Sequence, residues 1–270
     1  MDFLSWPGAG DLAPGGWQLA VLALAALTIG VPAGIVGISF GIIRLPIMLA
    51  MGLDPITSFG TDLGVSVIGG LAALGPHWRG GHVRVRLVLL IGLPTLIGAF
   101  IGARIAGLVP AWSLLVMTSV IMIWAGVVMV RRGKATGDRE PPRESRLRWW
   151  YDGSVGLGLG VLGGSVGMVL GALRLPALIK ILRLDPRTAA GTSNAIGIIV
   201  GFFGFVGFAI DGHFDPELLL FLGLCGAVGS FFGALRTGRF DPRRLGLLIG
   251  VLVLAIVPLI LYNAYRTATG

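Results

Sequence analysis

Apolar residues in this chain come in long blocks, at 17–53, 56–76, 87–109, 112–130, 153–182, 188–210, 217–235 and 245–264. A helix needs about 20 residues to cross a bilayer, so most blocks predict one crossing each. The first and fifth are too long. As one helix, 17–53 would exceed about 50 Å at 1.5 Å per residue, against about 30 Å of hydrocarbon. Both carry closely spaced glycines, Gly30, Gly34, Gly37 and Gly41 in one and Gly160, Gly163, Gly164, Gly167 and Gly171 in the other. Each is expected to be a helix, a glycine-rich break and a shorter helix, ending near Asp54-Pro55 or Asp185-Pro186. The fold class predicted is an all-α polytopic membrane protein with broken or re-entrant helices at 17–53 and 153–182.

The one sizeable polar segment, 131–148, divides the chain into a first transmembrane repeat, 1–130, a linker, and a second repeat, 149–270. Residues 34–46 (GIVGISFGIIRLP) and 164–176 (GSVGMVLGALRLP) share seven of thirteen positions. After a one-residue gap the match continues at an offset of 131: Asp54-Pro55 with Asp185-Pro186, Gly60-Thr61 with Gly191-Thr192, Gly81-His82 with Gly212-His213, and Gly98–Ala103 with Gly229–Ala234. Apolar composition alone does not align those polar pairs in one order.

Charge separates the two copies. The loop at 77–86 carries Arg79, Arg84 and Arg86 and no acid, whereas its partner carries Asp211, Asp215 and Glu217 and no Lys or Arg. The connection at 109–112 is uncharged, and its partner holds Arg236, Arg239, Arg243 and Arg244. Since basic loops stay cytoplasmic, equivalent loops are expected on opposite sides. The halves then form inverted repeats of about five segments each, with both termini outside and 131–148 in the cytoplasm. Transporters often use this plan, with substrate bound near the midplane where the repeats meet.

Composition agrees. Charged residues are 13% of the chain, about half the share usual in soluble domains. The 45 glycines show no collagen period and suit close helix contacts. The net charge of +8 lies mostly in short loops, which fits membrane orientation better than nucleic-acid binding. Asp2 and Asp11 precede the first apolar block without a basic residue, unlike a cleavable signal. Cys225 is the single cysteine, so no intrachain disulfide forms.

Arg44 and Arg174 occupy equivalent positions inside membrane segments, where an arginine is costly and marks a site or pathway unless it snorkels or pairs structurally. Thr61, and Thr192 with Ser193 and Asn194, are of helix-capping type. If short helices start there, their N–H groups would face an anion; a start at Asp54-Pro55 or Asp185-Pro186 is the alternative. With Gly37 and Gly167 in the adjacent breaks, these residues are the substrate-binding candidates for a small anion. Asp62, whose counterpart is Ser193, is the coupling candidate; ion pairing with Arg44 or simple capping are the other readings. His82 and His213 read more simply as interfacial or structural than as proton carriers. Gly156-x-Gly158-x-Gly160, Gly98-x-x-x-Gly102 and Gly229-x-x-x-Gly233 read as helix contacts. No Walker motif, catalytic constellation or metal-ligand cluster is present, so neither an enzyme nor ATP-driven pumping is expected, and no cofactor or metal.

The glycine-rich break with Arg-Leu-Pro, the Asp-Pro and Gly-Thr turns, His-Trp-Arg-Gly-Gly-His-Val at 77–83 and Gly-Ala-Phe-Ile-Gly-Ala-Arg at 98–104 resemble the TauE/SafE sulfite exporter family over nearly the whole chain. The family usually has consecutive glycines before a Val-Pro, where this chain has Gly37–Gly41 and then Arg44-Leu-Pro, and Gly-Thr-Ser where this chain has Gly60-Thr61-Asp62. The resemblance implies a secondary transporter of the bacterial inner membrane that exports sulfite, sulfoacetate or a similar organosulfonate. A passive small-anion channel and an uptake permease for another small anion are the alternatives. The expected partners are the small anion and the lipid bilayer, not nucleic acid, with homodimerisation left open.

Overall fold

The computed structural model describes residues 16–39, 41–50, 52–134, 149–180, 182, 184–237 and 242–269. They form ten helices: α1 (Gly16–Val36), α2 (Gly41–Ala50), α3 (Pro55–Arg79), α4 (Val85–Ala106), α5 (Ala111–Lys134), α6 (Trp149–Ser165), α7 (Gly171–Lys180), α8 (Pro186–Ala209), α9 (Pro216–Ala234) and α10 (Pro242–Thr269). No strand occurs among the described residues. Of the 131–148 linker, residues 131–134 prolong α5 and the rest lie outside the described residues.

Seven helices, α1, α3, α4, α5, α8, α9 and α10, are long and apolar enough to cross a membrane. At ten residues each, α2 and α7 reach about 15 Å, half the hydrocarbon thickness. The side of α4 turned away from the protein shows Leu89, Leu93, Ile97, Ile101 and Ile105, an exposed apolar stripe of period four. Such a stripe suits lipid, not water.

Both long blocks break where expected, although not at every glycine named. Gly37 (φ 67°) and Gly167 (φ 63°) take left-handed conformations in the two breaks, which glycine adopts without steric cost. Gly30 and Gly34 stay helical and serve packing instead: a Cβ on either would strike the α9 backbone at Gly226 or Ser230. Gly160 and Gly164 do the same against Thr95 and Ala99 of α4.

The pairing of helices is preserved when each is exchanged with its counterpart. α1 packs on α9 and α6 on α4; α3 packs on α9 and α8 on α4; α3 meets α8, and α5 meets α10. Glycines set these seams. Gly229 and Gly233 lie on the Leu27 and Val31 carbonyls, and Gly98 and Gly102 lie on those of Leu157 and Val161. Gly156 and Gly160 also face α4, whereas a Cβ on Gly158 would meet nothing within 4 Å.

The same contacts give direction. Gly30 lies by Gly226 and Gly34 by Ser230, so α1 and α9 are parallel; Gly64 meets Leu219 and Gly223 meets Ile68, so α3 and α9 are parallel too. Helices α1 and α3 therefore point the same way, and α2 between them carries the chain back. The equivalent helices α3 and α8 are antiparallel, with Leu63 beside Gly204 and Gly70 beside Asn194.

Candidate functional site

Asp54 opens α3: its side chain accepts the Thr57 N–H at 2.9 Å, with Pro55 at the first helical position. Asp185 opens α8 likewise, accepting the Arg187 N–H at 3.0 Å. Such caps are worth about 1 kcal/mol, and a proline at N1 gives up only an N–H that had no helical partner. The helices thus start at Pro55 and Pro186, not at Thr61 and Thr192. This corrects the expectation that those threonines offer free helix N-termini to an anion.

The threonines do something else. The Thr61 hydroxyl donates to the Thr57 carbonyl (2.8 Å) and accepts the N–H of Asp215 (2.9 Å), across the two halves. Thr192 accepts the Arg84 N–H at 3.1 Å. Beside them, Gly60 presses on the His213 carbonyl and Gly191 on that of His82. The Gly-Thr pair of each half therefore docks the Gly-His loop of the other. Those loops turn at Gly81 (φ 69°) and Gly212 (φ 73°). Gly37 and Gly167 are likewise spoken for, packed against Ala190 and Phe59. None of these four, Thr61, Thr192, Gly37 or Gly167, lines the cavity described next.

That cavity lies among α1, the first break, α2, α3, α8 and α9. Its polar lining is Ser39, Arg44, Ser66, Ser193, Asn194 and Ser230, and its floor is made of small residues such as Gly30, Gly69, Gly70, Gly197 and Gly226. About 30 Å³ is open to the centre of a water molecule, room for about two or three waters. Among the described residues Arg44 is the one charged side chain lining it.

Arg44 is itself buried. Its Nε donates to Asp62 Oδ1 at 2.7 Å, and one terminal nitrogen donates to the Asp62 carbonyl (3.1 Å) and to Ser66 Oγ (2.9 Å). Ser66 in turn lies 2.6 Å from the Ser39 hydroxyl. Asp62 is fully buried, and its second carboxylate oxygen has no partner among the described residues; that oxygen faces Gly41 at the start of α2. Of the readings open for Asp62, pairing with Arg44 is what the geometry realises; capping is not, since Asp62 lies two turns inside α3.

Arg174 repeats the burial without the partner. One terminal nitrogen donates to the Ser193 carbonyl at 2.8 Å, Nε has no partner, and no carboxylate pairs with it among the described residues. It stands behind the cavity wall, beside Gly197, without lining it. The two arginines therefore do not share one symmetric site. Asn194 donates to the Gly70 carbonyl at 3.0 Å and ties α8 to α3 across the cavity.

Ser39, Ser66 and Ser230 were not among the residues singled out from the sequence. Their repeat counterparts are Val169, Gly197 and Ala99, and that of Asn194 is Leu63. Polar residues that break the repeat converge on a single cavity, and that departure was the available signal. His82 and His213 dock loops through their backbones, as described. His77 is buried with Nε2 3.1 Å from the Gly34 carbonyl, and its counterpart is Phe208. Among the described residues no group of His, Cys, Asp or Glu could hold a metal.

Comparison with known proteins agrees with this picture of apolar helices suited to a membrane. A "Probable membrane transporter protein" of Xylella fastidiosa (strain 9a5c) is 27% identical over 247 residues, covering 88% of this chain and 93% of that one. The "Probable membrane transporter protein YdhB" of Bacillus subtilis is 24% identical, over 66% of this chain and 73% of that one. "Probable membrane transporter protein ORF9" of a Sinorhizobium species is 27% identical over 82% of each. No solved structure matches the chain. The family model described as "Sulfite exporter TauE/SafE" matches residues 22–258, and the chain accordingly belongs to the TauE/SafE family of membrane transporters.

Proposed function

We propose that this protein is a secondary transporter that exports a small sulfur-containing anion across the bacterial inner membrane, binding it in the cavity at Arg44. The observation that carries the reading is a buried arginine lining a partly open cavity whose other polar lining is four serine hydroxyls and one amide, set among glycines and apolar side chains such as Ile29, Ile38 and Val65. Hydrogen-bond donors beside a cation, with no metal-ligand cluster among the described residues, suit a compact oxyanion. The sulfur identity rests on the family's description.

In this reading the two halves, 1–130 and 149–270, form an inverted repeat, and α2 and α7 are re-entrant half-helices. The antiparallel α3 and α8 support it. So does charge: the helix directions gather Arg79, Arg84, Arg86, Arg131, Arg187 and Arg236 at one end and Asp54, Asp211, Asp215 and Glu217 at the other, with Asp185, Arg104 and Arg266 as exceptions. By the positive-inside rule the first end, with the linker, is cytoplasmic and both termini are outside. With Cys225 replaced by Ser, single cysteines at Trp78 and Ile210, both exposed helix ends, should label from opposite sides. Labelling from one side would mean a parallel repeat.

Vesicles reconstituted with the protein and loaded with sulfite test the activity. Saturable efflux, abolished in Arg44→Ala, is expected. Efflux as fast from Arg44→Ala would remove the site, and unsaturable current in a planar bilayer would make the protein a channel.

A further inference from the structure

The cavity as it stands carries no net charge. Its lining cation, Arg44, is already neutralised by Asp62, so an arriving anion meets an occupied arginine. We propose that Arg44 exchanges partners during the cycle, holding Asp62 when the site is empty and the transported anion when it is loaded, and that Asp62 takes up one proton whenever the anion displaces it. This rests on the anion-transport reading and adds the coupling ion to it.

Two features point to a carboxylate that changes state rather than a fixed pair. Asp62 Oδ2 is buried without a hydrogen-bond partner among the described residues, and a buried polar group left unpaired calls for an explanation. A carboxylate locked permanently to arginine would be better served by a two-pronged contact, whereas here only Oδ1 is engaged. The second half provides the control. At the equivalent position it has Ser193, and Arg174 is held by a backbone carbonyl without any acid among the described residues. An arginine can therefore be housed in this packing without a carboxylate, and the acid at 62 is not an architectural need.

If Arg44 turns to the anion, Asp62 loses its one partner in a place closed to water. An ionised carboxylate left alone there is strongly disfavoured. Among the described residues no other cation stands ready to replace Arg44. Helix α1 carries no titratable residue; α2 offers Arg44 alone; the far end of α3 has His77 and Arg79. In α8 and α9 the described titratable groups are Arg187 and Glu217, both exposed in first turns, and Cys225 in α9; Arg131 lies in the last turn of α5, exposed. On α7, Arg174 faces the Ser193 carbonyl.

The balance is simple. A proton from water on the open side binds the Asp62 carboxylate as the anion binds Arg44. On the other side both leave, and the Arg44–Asp62 pair re-forms. One anion and one proton move together, so a monoanion crosses without net charge. Flux then follows the anion and proton gradients and ignores the membrane potential.

The test uses the full chain in vesicles loaded with sulfite, for the efflux alone, or with methanesulfonate, a permanently ionised monoanion, for efflux and the pH record, since bisulfite leaving by itself would draw protons onto the sulfite left behind. A pH-sensitive dye is inside and the potential is clamped by potassium and valinomycin. Wild type should raise the internal pH as the anion leaves, at a rate independent of potential. Asp62→Asn, and Asp62→Ser, which copies the other half, should carry the anion with no internal pH change and at a rate that responds to potential. Wild-type efflux without a pH change, or a pH change retained in Asp62→Ser, overturns the coupling while leaving anion transport standing. No efflux of either anion from wild type overturns the transport reading itself. If neither variant folds, the wild-type pH record alone decides.

Discussion

Two arginines sit on equivalent turns of α2 and α7, and each donates to the backbone carbonyl of the equivalent residue, Asp62 or Ser193; their other surroundings differ. Arg44 has Asp62, Ser66 and a cavity in front of it; at the matching places Arg174 has Ser193, Gly197 and a closed wall. Around them the packing is duplicated to the level of individual glycines. Duplication thus fixed the scaffold, where each half supplies the surface the other needs, and left the lining free to diverge. If so, paired substitutions should split into two kinds: equal effects at packing positions and unequal effects at lining positions.

The largest expected contrast is between the arginines. Arg44→Ala would leave the Asp62 carboxylate buried and alone, a loss of about 3–5 kcal/mol for breaking one partner of a buried pair. Arg174→Ala orphans no charge and exposes one carbonyl to a lost hydrogen bond, about 1–3 kcal/mol at most. Thermal unfolding in detergent should rank them in that order. Adding Asp62→Asn to Arg44→Ala should recover most of the stability without restoring efflux. Equal losses from the two single variants would dissolve the comparison.

The packing positions should behave oppositely. A Cβ on Gly229 would run into the Leu27 carbonyl and one on Gly98 into the Leu157 carbonyl. Overpacking of this sort costs about 1–3 kcal/mol, and the two Ala variants should lose similar amounts. Gly158→Ala, in open space, should be neutral or gain up to about 1 kcal/mol from helix propensity. Unequal losses at 98 and 229, read from the same melting curves, would show that the halves are not equally packed.

What the sequence made legible follows from range. The helix blocks, the breaks at Gly37 and Gly167, and the starts at Asp54-Pro55 and Asp185-Pro186 depend on local hydropathy, left-handed glycine and capping, all written within a few residues. Thr61 and Thr192 went wrong for the complementary reason. Capping logic looks three residues ahead, whereas Thr61 serves Asp215 and Thr192 serves Arg84 in the opposite half. Isolated serines such as Ser66 and Ser230 look like ordinary helix residues that bond their own backbone. Only against Gly197 and Ala99 do they stand out. The Arg44–Asp62 pair was foreseen as one option, since both residues were visibly costly; the cavity that gives it meaning needed α8 and α9 in place.

The threonines offer a third and smaller test. Thr61→Val and Thr192→Val each remove a hydroxyl that receives an inter-half N–H, leaving that N–H wanting a partner. A loss of about 1 kcal/mol is expected from each, equal in the two and without change in the concentration of anion that half-saturates efflux. A weakened anion affinity in either variant would return that threonine to the binding site.

The smallest effect is expected where the halves differ but water intervenes. Arg104, near the end of α4, pairs with Asp211 in the loop before α9, and the counterpart of Arg104 is Leu235. Both side chains are well exposed, at 40% and 36%, so solvent screens the pair and its contribution is slight. The hydrogen bond from Arg104 holds the Asp211 carboxyl below its ordinary value of 3.8. A carboxyl lowered in the folded state adds stability that is present above its ordinary range and lost as pH falls through the folded value. Asp211→Asn should therefore lower the melting temperature slightly at pH 7, more at low salt than at high salt, with the difference from wild type vanishing in acid once the lowered carboxyl is protonated. A gap that persisted in acid, or that ignored salt, would mean that Asp211 supports the loop by a contact other than its charge. The pair would then belong with the packing that the two halves share, and not with the features that set them apart.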